Sequence, residues 1–156
     1  GGFPLPGGYR LIREFDRFLL EEVSEPEEDR ILSIPDGEMG RGEALLGGRR
    51  VEVVWGPGEP EESGEFFRAP ASDLEFPLRV RGWVPGDRMQ LPYGTKKLKK
   101  LFSEARIPVG ERHRVPVLVD GLGRILWALG LPSSALVPGE FEGTPFFVGT
   151  RDARQH

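Results

Sequence analysis

Lys96, Lys97, Lys99 and Lys100 are the only lysines in the 156-residue chain, and they fall within five residues. Around them stand Arg79, Arg81, Arg88, Arg106, Arg112 and Arg114. Between Arg79 and Arg114 these ten cations meet only Asp87, Glu104 and Glu111, a surplus of seven positive charges in a chain whose net charge is −4. The chemistry on offer is anion binding. Lysine supplies a compact point charge, and arginine a planar fork that grips two phosphate oxygens at once. Like charges on one helix face repel each other, and mixed signs would serve solubility better. The cluster therefore points to a polyanion site, with a solvated helix face as the alternative that needs no ligand.

Catalytic chemistry is harder to assemble. The chain contains no GxxxxGK[ST] loop, no GxGxxG after a strand, no GxSxG and no HExxH. His113 has no evident nucleophile to serve and reads as a surface histidine among arginines. Asp87 lies in the tetrapeptide Pro85-Gly86-Asp87-Arg88. It reads as a turn residue that accepts backbone N–H bonds or pairs with Arg81 or Arg88, with a catalytic acid as the alternative. Two histidines and no cysteine leave no usual zinc set. The expectation is no catalytic residue, no metal ligand and no cofactor within this chain.

Composition adds context. No apolar run approaches the ~18–20 residues that cross a bilayer, so no membrane partner is expected. The lack of cysteine fits a cytoplasmic protein. Asparagine is absent while Arg, Glu and Pro are abundant, which suggests a thermophilic source, GC-rich coding bias being the alternative. Charge is unevenly divided. Residues 1–75 carry 8 basic and 18 acidic side chains, and residues 76–156 carry 13 and 7. That asymmetry suggests an acidic β-rich part, 1–75, leading into a basic binding part, 76–156, or both in one compact unit.

The elements that must position the cations follow from periodicity. In residues 9–22, Leu11, Phe15, Phe18 and Leu19 have helical spacing, yet two short strands with a turn near 14–16 fit equally. Residues 49–56 alternate cleanly through Val51, Val53 and Trp55 and read as a strand, and residues 65–70 as a shorter one. Residues 76–84 also alternate: Phe76, Leu78, Val80 and Val84 on one face, Arg79, Arg81 and Trp83 on the other. Trp83 reads as an aromatic under arginine stems, or else as a stacking platform for a base. Val84-Pro85-Gly86-Asp87 is a type II turn signal. From Thr95, a plausible N-cap, the period becomes helical. Leu98, Leu101, Phe102 and Ala105 form an apolar stripe opposite the four lysines, and Pro108 ends the helix at or before Ile107. Residues 115–131 read as a hairpin turning at 120–123, and residues 141–149 as a last strand before a polar tail. Many short strands and one helix near 95–106 indicate an α+β class: a β-rich, layered, sandwich-like domain.

The helix spends its apolar face on its own core, which disfavours a membrane surface. Nucleic acid, held through its phosphates and read by shape, fits better.

The matching pieces LRVRGWVPGDRM, GTKKLKKLFSEARIP and ERHRVPVLVDGLGRILWALGL, in this order and spacing across residues 76–131, closely resemble the C-terminal domain of bacterial tRNA(Ile)-lysidine synthetases. The segment LPGGYRLIREFDRFLL is similar to the stretch that precedes that domain, which favours strands for 9–22. The resemblance implies a fold like that of a domain of the phenylalanyl-tRNA synthetase β-subunit. It also implies a ligase that uses ATP and Mg to adenylate the wobble cytidine of tRNA(Ile) and then attaches lysine. The SGGxDS-type ATP loop of that family is missing here, so the ATP and Mg site is expected in another domain. The implied partners are the acceptor-stem region of tRNA(Ile) and the catalytic domain of the same enzyme, and a homodimer remains open. Carried onto matching positions, the nucleic-acid contacts are Arg81, Arg88, Lys96, Lys97, Lys99, Lys100, Arg112 and Arg114, and Arg79 extends the strand face. Val109-Gly110-Glu111 stands where the family often has an aromatic residue, so no stacking contact is expected there. The rival reading is a non-catalytic protein-interaction β domain whose basic face docks an acidic surface.

Overall fold

A computed structural model describes the backbone strands at 2–5, 9–14 and 17–22, and residues 28–36, 38–60 and 65–151 in full. The strands in chain order are β1 (Gly2–Leu5), β2 (Tyr9–Glu14), β3 (Arg17–Glu22), β4 (Leu32–Ile34), β5 (Gly40–Leu46), β6 (Arg49–Pro57) and β7 (Phe66–Pro70). Then follow β8 (Leu78–Arg81), β9 (Arg88–Leu91), β10 (Gly94–Lys97), α1 (Leu98–Glu104), β11 (Val117–Val119), β12 (Ile125–Ala128) and β13 (Pro145–Arg151). Residues 9–14 and 17–22 are thus two antiparallel strands, with Glu14 opposite Arg17, and the expected turn residues 15–16 lie outside the described residues. The polar tail beyond 151 and part of the acidic stretches at 21–29 and 59–65 lie outside the described residues.

From residue 28 on, the chain builds three layers. One outer layer is the sheet β5-β6-β13-β7 and the middle layer is the sheet β12-β11-β8-β4. The third layer is the β9–β10 hairpin with α1. A first core, including Ile34, Val53, Phe67, Leu78, Val80, Leu118 and Phe146, lies between the two sheets. A second, including Met89, Leu98, Leu101, Phe102, Val117, Val119 and Ile125, lies between the middle sheet and the hairpin with its helix. β11 shows why the middle sheet must be apolar on both sides. Leu118 enters the first core while Val117 and Val119 enter the second, because neighbouring strand residues face opposite ways.

Strands from both sides of residue 75 share both sheets. β4 pairs with β8, and β13 pairs with β6 and β7, all antiparallel. The acidic and basic parts of the sequence are therefore interleaved in space.

Two expectations for the basic stretch need correction. Helix α1 covers only Leu98–Glu104. Thr95, Lys96 and Lys97 belong instead to β10, whose ladder pairs Thr95 with Gln90, Lys96 with Met89 and Lys97 with Arg88. The Leu98 N–H donates to the Asp87 carbonyl at 2.9 Å, so the hairpin's own backbone starts the helix and Thr95 caps nothing. Seven residues are too few for a helix to persist alone. Burial of Leu98, Leu101 and Phe102 holds it, each side chain contributing about 1.5–3 kcal/mol. Ala105 is exposed because the helix has already ended. The Arg106 N–H donates to Ser103 and the Ile107 N–H to Phe102, the paired closure of a Schellman motif, with Arg106 at φ 60° where glycine is usual.

The second correction concerns residues 76–84. β8 stops at Arg81, and Val84 is 52% exposed instead of facing the core. The strand ends because the chain turns at Val84–Asp87, where the Asp87 N–H donates to the Val84 carbonyl at 3.0 Å. Gly86 supplies the φ of +99° that a type II turn requires. The 115–131 hairpin forms as its sequence indicates, β11 against β12.

Candidate nucleic-acid interface

The ten cations of the basic stretch separate according to what the fold does with each. Arg81, the last residue of β8, donates from both terminal nitrogens to Asp87, at 2.9 and 3.0 Å, and also to the Gly82 carbonyl at 2.8 Å. Asp87 further accepts the Val84 N–H at 2.9 Å. The pair is mostly covered, with side-chain exposures of 21% and 11%. A bidentate fork of this kind locks the Val84–Asp87 turn onto the end of β8. Asp87 is thereby the structural turn residue.

Arg112 sits in a 3-10 turn, Val109–Arg114, and is 7% exposed. It donates to the Ile107 carbonyl at 3.1 Å and to Ser103 Oγ at 3.3 Å. It therefore ties the chain after α1 back to the helix. Lys96 faces inward on β10 and reaches across to the end of α1. Its Nζ donates to both carboxylate oxygens of Glu104, at 2.7 and 2.6 Å, and lies 5.8 Å from the Tyr93 ring centre. The hydrogen bond to Glu104 raises the Lys96 pKa above the ordinary lysine value, helped by the charge of that carboxylate and opposed by partial burial. Arg114 is intermediate: it donates to the Gly47 carbonyl at 3.3 Å and stays 3.6 Å from Glu111.

Arg79, Arg88, Lys97, Lys99, Lys100 and Arg106 are exposed, and none forms an ion pair among the described residues. Lys99 and Lys100 stand on the outer side of α1, Lys97 immediately before it, and Arg88 directly across the ladder from Lys97. In β9, Met89 and Leu91 are buried, so Arg88 and Gln90 face outward together with their partners Lys97 and Thr95. Two cations directly opposed on one sheet face repel each other. The outward cations of the β9–β10 hairpin and α1 are therefore Arg88, Lys97, Lys99 and Lys100.

Trp83 follows β8. Its ring is half-buried against the second core and meets Phe102 edge-to-face with centroids 6.1 Å apart. That contact makes it a packing residue between the middle sheet and α1.

Sequence reasoning passed over Arg124, Gln90 and Thr95. Arg124 lies in the β11–β12 turn, where it pairs with the buried Asp120 at 2.7 Å. With Arg88, Gln90 and Thr95 it lines a cleft of about 290 Å3 beside the outward cations. The only hint in the sequence was the alternation of Arg88-Met89-Gln90-Leu91, which places Gln90 with Arg88. No group of His, Asp or Glu able to hold a metal ion occurs among the described residues.

The geometry can be set against known proteins. A family model of the TilS substrate C-terminal domain matches residues 78–144. The chain is 38% identical over 145 residues to the tRNA(Ile)-lysidine synthase of Geobacillus kaustophilus, covering 86% of this chain and 30% of that protein. It is 48% identical over 67 residues to the bifunctional protein TilS/HprT of Listeria innocua, covering 42% of this chain and 10% of that one. A crystal structure of a TilS C-terminal domain superposes with a TM-score of 0.63 at 30% identity, covering 80% of this chain and 98% of that domain. The chain thus spans well under half of the length of the curated synthases it matches.

Proposed function

This chain belongs to the TilS C-terminal domain family, and on that premise we propose that it is a non-catalytic tRNA-holding domain. It grips the acceptor-stem region of tRNA(Ile) while another domain of the same enzyme, carrying ATP and Mg, forms lysidine. The observation that carries the reading is the outward group Arg88, Lys97, Lys99 and Lys100, which has no acidic partner among the described residues. A protein does not gain stability by opposing Arg88 and Lys97 across one ladder. The arrangement becomes favourable when phosphates lie over it.

The geometry narrows the contact set. Arg81, Lys96 and Arg112 have their donors committed within the fold, so their role is to shape the surface. Arg88, Lys97, Lys99 and Lys100 make the phosphate contacts, with Arg79 and Arg114 at the margins. Such contacts position a duplex without reading its bases.

A gel-shift titration with tRNA(Ile) and with a bare acceptor-stem duplex, at two salt concentrations, tests this. Binding of both RNAs that weakens steeply with salt is expected. Absence of binding, or binding indifferent to salt, would refute it.

A further inference from the structure

The cleft beside the outward cations has a charge balance that selects among phosphate groups. Its floor holds the Arg81–Asp87 pair, whose charges cancel. Its far wall holds Arg124, whose charge is matched by Asp120. What remains uncompensated in the lining is Arg88, and its cross-strand partner Lys97, on the same outward face though outside the lining, adds a second free charge beside it. Two free positive charges match a phosphate monoester, which carries about −1.5 to −2 near neutral pH, better than the single charge of a backbone diester. Gln90 and Thr95, cross-strand partners on the same outward face, add an amide and a hydroxyl that can donate to phosphate oxygens. About 290 Å3 is at the small end for a ligand cleft. A small terminal group fits it best, whereas a diester is flanked by riboses on both sides and suits the exposed lysine face.

We propose that this cleft is the seat of the 5′-terminal phosphate monoester of the bound RNA. The proposal rests on the tRNA-holding reading and deepens it. The lysines of α1 follow the backbone of the stem, and the cleft captures its 5′ end and so sets the register of the duplex on the domain.

The test is a binding titration of the whole chain with one tRNA in two forms, carrying a 5′-monophosphate or, after phosphatase treatment, a 5′-hydroxyl. The wild-type protein is expected to bind the hydroxyl form about tenfold more weakly, the scale of one set of charge-assisted hydrogen bonds. Gln90→Ala/Thr95→Ala alters no charge and leaves the Gln90 carbonyl, which accepts from Ser134 and Ala135, in place. This variant keeps Arg88 and Lys97 and is expected to narrow the difference to about threefold. Arg124 is left untouched, because its loss would strand the buried Asp120. Tight binding of both RNA forms within twofold by wild type would overturn the cleft while leaving the tRNA-holding surface intact. So would a tenfold difference that persists in the variant. Failure of wild type to bind either form would overturn both readings.

Discussion

Arg112 and Lys100 belong to the same basic stretch, yet the fold uses them in opposite ways. Arg112 is sunk into a turn and spends its donors on Ile107 and Ser103. Lys100 stands on the outer side of α1 and pairs with nothing among the described residues. Arg81 and Lys96 side with Arg112; Arg88, Lys97 and Lys99 side with Lys100. A sequence counts all of these as positive charge, but they do different work. The first group ties the Val84–Asp87 turn, the end of α1 and the segment after it into place, and so positions the second group. On the proposed reading, charge at the surface is for the ligand, and charge bonded within the fold is for the scaffold.

This division can be broken by substitution. The largest effect is expected from Lys97→Glu/Lys99→Glu/Lys100→Glu. Affinity for tRNA should fall at least about 100-fold at low salt, with Tm within about 2 °C of wild type, as filter binding and thermal unfolding would read. A drop in Tm with unchanged affinity would place these lysines in the scaffold. Next comes Arg81→Ala, which leaves the mostly covered Asp87 without its counter-ion. Discounted for partial exposure, the cost is about 2 kcal/mol, or a Tm lower by roughly 4–8 °C. Affinity for the 5′-hydroxyl RNA, which leaves the cleft empty, should be unchanged when measured well below Tm.

A smaller effect of opposite sign is expected from Arg106→Gly. Relief of the left-handed conformation at φ 60° should stabilise the domain by about 0.5–1 kcal/mol, visible as a higher midpoint in denaturant. The smallest effect belongs to Lys96→Met, which removes the Glu104 contact at the surface. The Lys96 pKa is raised, chiefly by that hydrogen bond. Its contribution is therefore present in full below the ordinary lysine value of 10.5 and is lost as pH climbs through the raised value. The small Tm gap between wild type and variant should be constant at neutral pH and close in strong alkali. A gap that widens with pH would assign the stabilisation elsewhere.

Much of the scaffold was legible in the sequence because its signals are local. Val51, Val53 and Trp55 alternate, and all three are buried in β6. The Leu98, Leu101 and Phe102 spacing marks the buried side of α1, and Asp120–Gly123 marks the hairpin turn. What could not be read there depends on partners distant in the chain. Thr95-Lys96-Lys97 continues smoothly into the helix as a string of residues. It is drawn into β10 only because Arg88–Leu91 offers a ladder and Asp87 offers a carbonyl to Leu98. Arg112 looks as exposed as Arg114, since an arginine stem is apolar enough to be buried when its head finds acceptors. The outward position of the α1 lysines was legible for the converse reason: they lie opposite the buried stripe and need no distant partner. The cleft at Arg88 and Arg124 joins two hairpins, and no spacing in the sequence announces it.

The most direct test of the division is the salt dependence of tRNA binding by wild type, Lys97→Ala/Lys99→Ala/Lys100→Ala and Arg112→Lys. Each lost phosphate contact lowers the slope of log K against log salt by roughly 0.7–0.9. The triple variant is expected to lose about 2 units of slope, and Arg112→Lys none. Equal slopes for wild type and the triple variant would contradict the account, as would a reduced slope for Arg112→Lys.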